Sequence, residues 1–286
     1  IKYFVNSCET CKAFNKCRQK YGQLPLKDVS QDIIPWDVVQ IDTIGPYSVT
    51  SNKGKILSLS CKTMIDPATG WFEIKEMKDT NNSADASRIF NNEWLSRYPR
   101  PRRVVMDNGS EFKRDFKPLL QTYGIKTKHI SVKNPQANAI LERIHQVVGD
   151  MLRSKDLSNY DLDSTDPWSD ILASVAWAIR STVHTTLEAT PGQLVFGKDM
   201  IFHATFKANW QAIHARKAKA AVKSNIRENS KRSKYTYTVG DYAYVTSTDI
   251  KRKLQAQNEG PFRVNEVFTN GTVKIQRGPI EEQINI

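Results

Sequence analysis

The chain holds 286 residues, 39% of them hydrophobic and 25% charged, with a formal net charge of +12. That length gives one catalytic-sized domain plus smaller pieces. The positive surplus, with a pI near 9.5, selects a polyanionic partner, either nucleic acid or an acidic membrane surface. The longest apolar run, Ile171 to Ile179, falls well short of the roughly 20 residues of a membrane span, and no signal peptide is visible; no membrane partner is expected.

Cys8, Cys11 and Cys17 crowd the N-terminus and Cys61 stands apart. This is not the spread of a secreted disulfide scaffold, and a reducing compartment fits it better. The chain starts at Ile1 without a methionine and stops at Ile286 in strand-like sequence, which reads as a fragment excised from a larger polyprotein.

Residues 1–30 are a short Cys- and Lys-rich lead-in. Val38, Val39 and Ile41 lead into Asp42, and Gly45-Pro46 breaks the run. Ile56–Ile65 is a second apolar run ended by Asp66-Pro67, and Gly70–Met77 alternates. Three such strands in succession predict an antiparallel meander. Asn82–Tyr98 predicts a helix closed by Pro99. Arg103–Met106 is a short buried strand, and Asp107-Asn108-Gly109 turns at its end. Phe112, Phe116, Leu119 and Leu120 predict a short helix, and Gly124-Ile125-Lys126 opens another strand. A long helix follows from Pro135 and Gln136 to about Ser154, with Ile140, Ile144, Val147, Val148 and Met151 as its apolar stripe. A further helix covers Trp168–His184, and Thr190-Pro191 has the form of an N-cap and first-turn proline. The order βββαβαβα predicts an α/β layered domain.

After Phe202 the composition shifts. Residues 207–260 hold twelve Lys or Arg against four Asp or Glu, most of the chain's positive surplus. Ala212–Arg227 predicts a basic connecting helix. From Tyr235 the pattern turns to β, with an Asn270-Gly271 hairpin signal, and predicts a small β-barrel.

Asp42, Asp107 and Glu142 come from three elements. Singly, a strand-end carboxylate is often a turn former, and the stripe Asn138, Glu142, His145/Gln146 on one helix is the usual look of a solvated face. Jointly they meet a specific need. Phosphodiester transfer uses two divalent cations about 3.5–4 Å apart, and such hard cations take carboxylate oxygens. Without a cation the three would repel and raise one another's pKa values. Asp66, followed by Pro67 and Gly70, reads instead as a turn cap.

Three segments carry a resemblance: Trp36–Pro46, the run Asp107-Asn108-Gly109-Ser110-Glu111-Phe112, and Pro135-Gln136-Ala137-Asn138 running on to Glu142-Arg143. Together they resemble the core of retroviral and gypsy-type LTR retrotransposon integrases, over nearly the whole chain. The Asp107–Glu142 spacing is one residue shorter than is usual there, a change that a loop absorbs easily, and Asn134 and Ala139 stand where relatives often have His and Gly. The resemblance implies an RNase H-like core with a mixed five-stranded sheet. It implies 3′-end trimming and strand transfer at one site with two Mg²⁺ or Mn²⁺ ions, Asp42 bridging both, Asp107 holding one and Glu142 the other. Asn108, Gln136, Asn138 and Arg143 become candidates for DNA contact, each with a cap or surface role as the plain alternative.

Cys8 and Cys11 are half of a zinc site at ordinary spacing. In the resembled family a preceding His pair completes it. Here the first histidine is His129, so Zn²⁺ is expected only where the missing N-terminal ligands are present, and Cys17 is a bystander. Gly260-Pro261-Phe262, after Lys251-Arg252-Lys253, resembles the module that follows the core in gypsy-type integrases, and the basic barrel with exposed Tyr235 and Tyr237 suits DNA. The expected domains are 1–30, the end of a zinc-binding region; 31–200, the catalytic core; 201–234, a basic linker helix; and 235–286, the barrel. The expected partners are element ends and target DNA, chromatin, and further copies of the chain, met in the nucleus after passage in a cytoplasmic particle. A DNA transposase of the same chemistry and a decayed, host-adopted copy that only binds DNA are the alternatives.

Overall fold

The computed structural model describes residues 8–14, 20–26, 33–51, 53–78, 82–129, 139–154, 162, 166–246 and 255–286. The chain divides into two compact units, one drawn from residues 28–130 and 134–220, the other from 1–27, 131–133 and 221–286.

In the first unit, β1 (Val38–Thr50) pairs antiparallel with β2 (Ile56–Ile65), which pairs antiparallel with β3 (Phe72–Glu76). The β2–β3 turn is tied by Asp66, whose buried carboxylate accepts from the backbone of Ala68 (2.9 Å) and the Thr69 hydroxyl (2.7 Å). The expected Asn82–Tyr98 helix is realised as α1 (Ser83–Phe90), capped by Asn82, followed by a π-helical turn over Asn91–Leu95. The wider turn coincides with the wholly buried Trp94, which packs on Trp36 and Tyr98. β4 (Arg103–Met106) runs parallel to β1. The expected short helix is split into a 3₁₀ turn at Ser110–Phe112 and α2 (Phe116–Thr122), and β5 (Lys126–His129) is parallel to β4. The sheet order is β3-β2-β1-β4-β5, the mixed five-stranded sheet expected from the sequence.

Helices α3 (Ala139–Ser154), α4 (Ser169–Ser181), α5 (Pro191–Phe196) and α6 (Trp210–Asn229) follow. At α5 the Thr190 hydroxyl and the Gln193 side chain each bond the other's backbone N–H. The unit boundary falls inside α6. One face of the sheet packs Val39, Ile41, Met64, Val104 and Met106 against α1 and α2. The other packs Ile44, Cys61 and Ile65 against α3 and α4. Strand alternation therefore decides which layer each side chain enters. On α3 the buried line is Leu141, Val148 and Leu152, with Ile140, Ile144 and Met151 flanking it. Val147, expected in the stripe, is exposed, because the helix is rotated to bring Leu141 inward.

In the second unit, β6 (Tyr242–Thr246), β7 (Asn258–Val267), β8 (Thr272–Arg277) and β9 (Ile280–Asn285) form an antiparallel sheet in the order β9-β8-β7-β6, which fits a small barrel-like domain. Asn270-Gly271 makes the β7–β8 hairpin, with Gly271 at φ 79°. Val264, Val273 and Ile275 form its core, and Tyr237, expected on the surface, packs against them. Among the described residues no helix is long and apolar enough to cross a membrane.

Candidate active site

The site is set by strand register. β1 and β4 are parallel, with Val39 opposite Val104 and Gln40 opposite Val105. Carried on by two residues, that register sets Asp42, in β1, opposite Asp107, the residue just after the end of β4. Both are in phase with the sheet face that carries α3 and α4. Asp42 is three-quarters enclosed, and its carboxyl is pushed up to about 6, first by burial and then by the charges of Asp107 and Glu111, against lowering by the Thr43 N–H and Lys62. Asp107 is exposed and accepts from the Gly109 N–H at 3.0 Å, which folds the turn back and fixes one of its oxygens.

Helix α3 brings His145 to Asp42. Its Nδ1 lies 4.0 Å from Asp42 Oδ2, and its Nε2 lies 2.9 Å from the Thr63 hydroxyl, which also donates to the Asp42 carbonyl. Burial lowers the imidazole pKa to about 4, so at neutral pH His145 is uncharged. Glu142 lies one turn earlier on α3 and is exposed. Among the described residues no three His, Cys, Asp or Glu side chains are gathered as a finished metal cage. The structure thus brings Asp42 and Asp107 together and holds Glu142 a helical turn from the residue that touches Asp42.

Of the other candidates, Asn108 and Arg143 are exposed, while Gln136, Asn138 and Lys251, Arg252 and Lys253 lie outside the described residues. Cys8 and Cys11 flank the first turn of a helix over Glu9–Phe14, with the Cys11 N–H 3.5 Å from Cys8 Sγ. That backbone N–H, foremost, lowers the Cys8 pKa, as suits a thiolate ligand. No third ligand joins them among the described residues, and Cys17 lies outside these.

Sequence reasoning missed two features. One is the wholly buried Lys62, paired across the strands with Thr43. A charged residue inside an apolar strand run was its available signal. The other is an open groove of about 480 Å³ lined by Tyr47, His145, Gln146, Gly149, Asp150 and Arg153, which no local motif announces because β1 and α3 meet only in the fold.

Residues 34–135, spanning both aspartates, match the family described as integrase core domain. The Gypsy retrotransposon integrase-like protein 1 of Rattus norvegicus is 25% identical over 183 residues, covering 64% of this chain and 32% of its own length; the chain thus spans about a third of that relative. Among solved structures, a chain of the simian T-cell lymphotropic virus intasome in complex with PP2A regulatory subunit B56 gamma matches with a TM-score of 0.64 at 16% identity, over 99% of this chain and 87% of that one. The HTLV-2 integrase catalytic core domain in complex with magnesium gives a TM-score of 0.42 at 18% identity, over 56% of this chain and 96% of its own. The fold is thus of RNase H-like architecture, shared with the intasome chain, and its segment 34–135 is similar to the integrase core domain. Within that class, the chain is similar to integrases of the retroviral type, with a gypsy-retrotransposon relative.

Proposed function

We propose that the chain is a retroelement integrase that trims the 3′ ends of element DNA and joins them to target DNA, in a reaction dependent on Mg²⁺ or Mn²⁺. One observation carries the reading: Asp42 in β1 and Asp107 at the end of the adjacent parallel β4 are close enough for Asp107's charge to act on Asp42, inside the segment that matches the integrase core family. The donor set fits a hard divalent cation. It consists of carboxylate oxygens, one of them resisting ionisation because of its burial and its neighbour. When bound, two such cations activate the attacking oxygen and stabilise the leaving one.

Asp42, Asp107 and Glu142 would hold the ions. Thr63 and the neutral His145 support Asp42. Arg153 and Tyr47 line the groove leading from His145 and offer a charge and a hydroxyl to a phosphate backbone. Asn108, Gln136, Asn138, Arg143 and the run Lys251–Lys253 are further proposed DNA contacts. In this reading residues 31–200 are the catalytic core and 1–30 the end of a zinc-binding region. Residues 201–234 are the linker and 235–286 the barrel. Zn²⁺ joins Cys8 and Cys11 only where N-terminal ligands complete the site. The intasome among the structural relatives supports a multimer acting on DNA, and chromosomal target DNA places the work in the nucleus, reached through a cytoplasmic particle.

The test is a strand-transfer assay with labelled duplex ends and a plasmid target. Joined products are expected with Mg²⁺ or Mn²⁺ and none with chelator. DNA binding without joining in either metal would reduce the protein to a DNA-binding one.

A further inference from the structure

We infer that Lys62, Thr43 and Glu111 form a positioning knot, on the far side of the sheet from the paired carboxylates, that fixes how far apart Asp42 and Asp107 stand. The inference rests on the metal reading above. Strand alternation turns Thr43 to the face opposite Asp42, and Thr43 pairs with Lys62 across the strands while Asp42 pairs with Thr63. Lys62 is wholly buried, and its Nζ donates to Thr43 Oγ1 at 2.6 Å. Thr43 Oγ1 in turn donates to Glu111 Oε1 at 2.9 Å, and Lys62 Nζ stands 3.5 Å from that same oxygen and 4.1 Å from the Phe112 ring centre.

Each end of this knot is one short step from a proposed ligand. Thr43 is the residue after Asp42. Glu111 and Phe112 close the turn that starts at Asp107. The turn is wrapped tightly on its own strut, since a Cβ at Gly109 would fall on the Glu111 carboxylate. A buried ammonium needs a strong reason, because desolvation opposes it. Here it ties β2, β1 and the Asp107 turn to one point. Groups that orient metal ligands from behind change metal affinity by about 10–100-fold when removed.

The experiment measures binding of Mn²⁺ alone to the full 286-residue chain by electron paramagnetic resonance, with thermal melts by circular dichroism alongside. Thr43→Val removes the shared hydroxyl without changing charge or branching. It should weaken Mn²⁺ binding about tenfold, and Thr43→Ser should stay within about twofold of wild type. Lys62→Met separates position from simple charge. Coulomb's law alone makes the loss of a nearby cation tighten Mn²⁺ binding, whereas a lost strut weakens it, and weakening of about tenfold is expected. Wild-type affinity in Thr43→Val, or tighter binding in Lys62→Met, overturns the inference. Failure of the underlying reading has a different signature: Mn²⁺ binding that is absent in wild type, or unchanged by Asp42→Asn.

Discussion

The same chemical pairing, a cation facing carboxylates, is built twice in this chain with opposite exposure. In the central sheet, Lys62 is wholly buried and Glu111 nearly so, and the pair shares a hydroxyl and an aromatic ring. On the barrel, Lys274 faces Glu266 and Glu281, and Arg277 faces Glu259 and Glu282, all well wetted. Water screens the second set, so its members are exchangeable and supply solubility more than stability. In the sheet, each charge taken from water depends on its partner, and any change is passed on to the aspartates. The difference teaches where charge is structural currency and where it is only surface.

The sharpest break in that comparison comes at the proposed ligands. Asp42→Asn, Asp107→Asn and Glu142→Gln should each cut strand transfer by more than about 10³-fold, because groups that act as a unit fail together. Duplex-DNA affinity should change by less than about threefold. An active Asp42→Asn protein would remove the first strand from the chemistry. Thiols show the same contrast at the next level. Cys61 is wholly buried, and its pKa is pushed up to about 12 by burial. At pH 8 only about one molecule in 10⁴ then carries the thiolate. Cys8 is half-buried, with a lowered pKa. Iodoacetamide, applied with a zinc chelator present, should alkylate Cys8 about 10³ times faster than Cys61 until denaturant is added, read peptide by peptide in mass spectrometry. Equal rates would mean that the sheet opens in the native state.

Much of this was legible in the sequence, for reasons that can be named. The order of the five strands could be read because the first four hold β-rich runs and the fifth, Lys126–His129, starts just after the turn residue Gly124. The Asp66 turn and the Thr190 cap could be read because their partners lie within three residues. What stayed hidden depends on partners far along the chain. Lys62 meets Thr43 from nineteen residues away and Glu111 meets Thr43 from sixty-eight, distances that no local pattern reports. The rotation of α3, which buries Leu141 and exposes Val147, is chosen by the sheet beneath it. Periodicity fixes that a helix has an apolar side more firmly than it fixes that side's edges.

A third change separates a buried structural aspartate from the proposed catalytic ones. Asp66 accepts from the N–H groups of Trp36, Ala68 and Thr69 and from the Thr69 hydroxyl. This is more than the single turn bond its sequence announces. Asp66→Asn turns an NH₂ group toward donors. It should cost about 3 kcal/mol of stability, measured by urea unfolding, while specific activity of the folded fraction stays within about twofold. A dead but stably folded variant would move Asp66 into the chemistry.

The smallest effect is expected where the comparison began, on the barrel. Lys274 bridges Glu266 on β7 and Glu281 on β9 from its place on β8, and Arg277 reaches Glu259 and Glu282 in the same way. Each bridge spans adjacent strands of an already paired sheet, so the backbone ladder, not the charge, holds the register. Lys274→Met keeps the stem that lies along the strand and removes only the ammonium. The melting temperature should then move by less than about 2 °C, and the shift should shrink further on raising salt from 50 to 500 mM, since screening already weakens the wild-type pairs. Lys62→Met, melted in the same buffers, should lose several times more, with little dependence on salt because its partners lie out of reach of the ions. Equal losses at the two lysines, or a salt-sensitive loss at Lys62, would show that burial does not separate the two sets of charges.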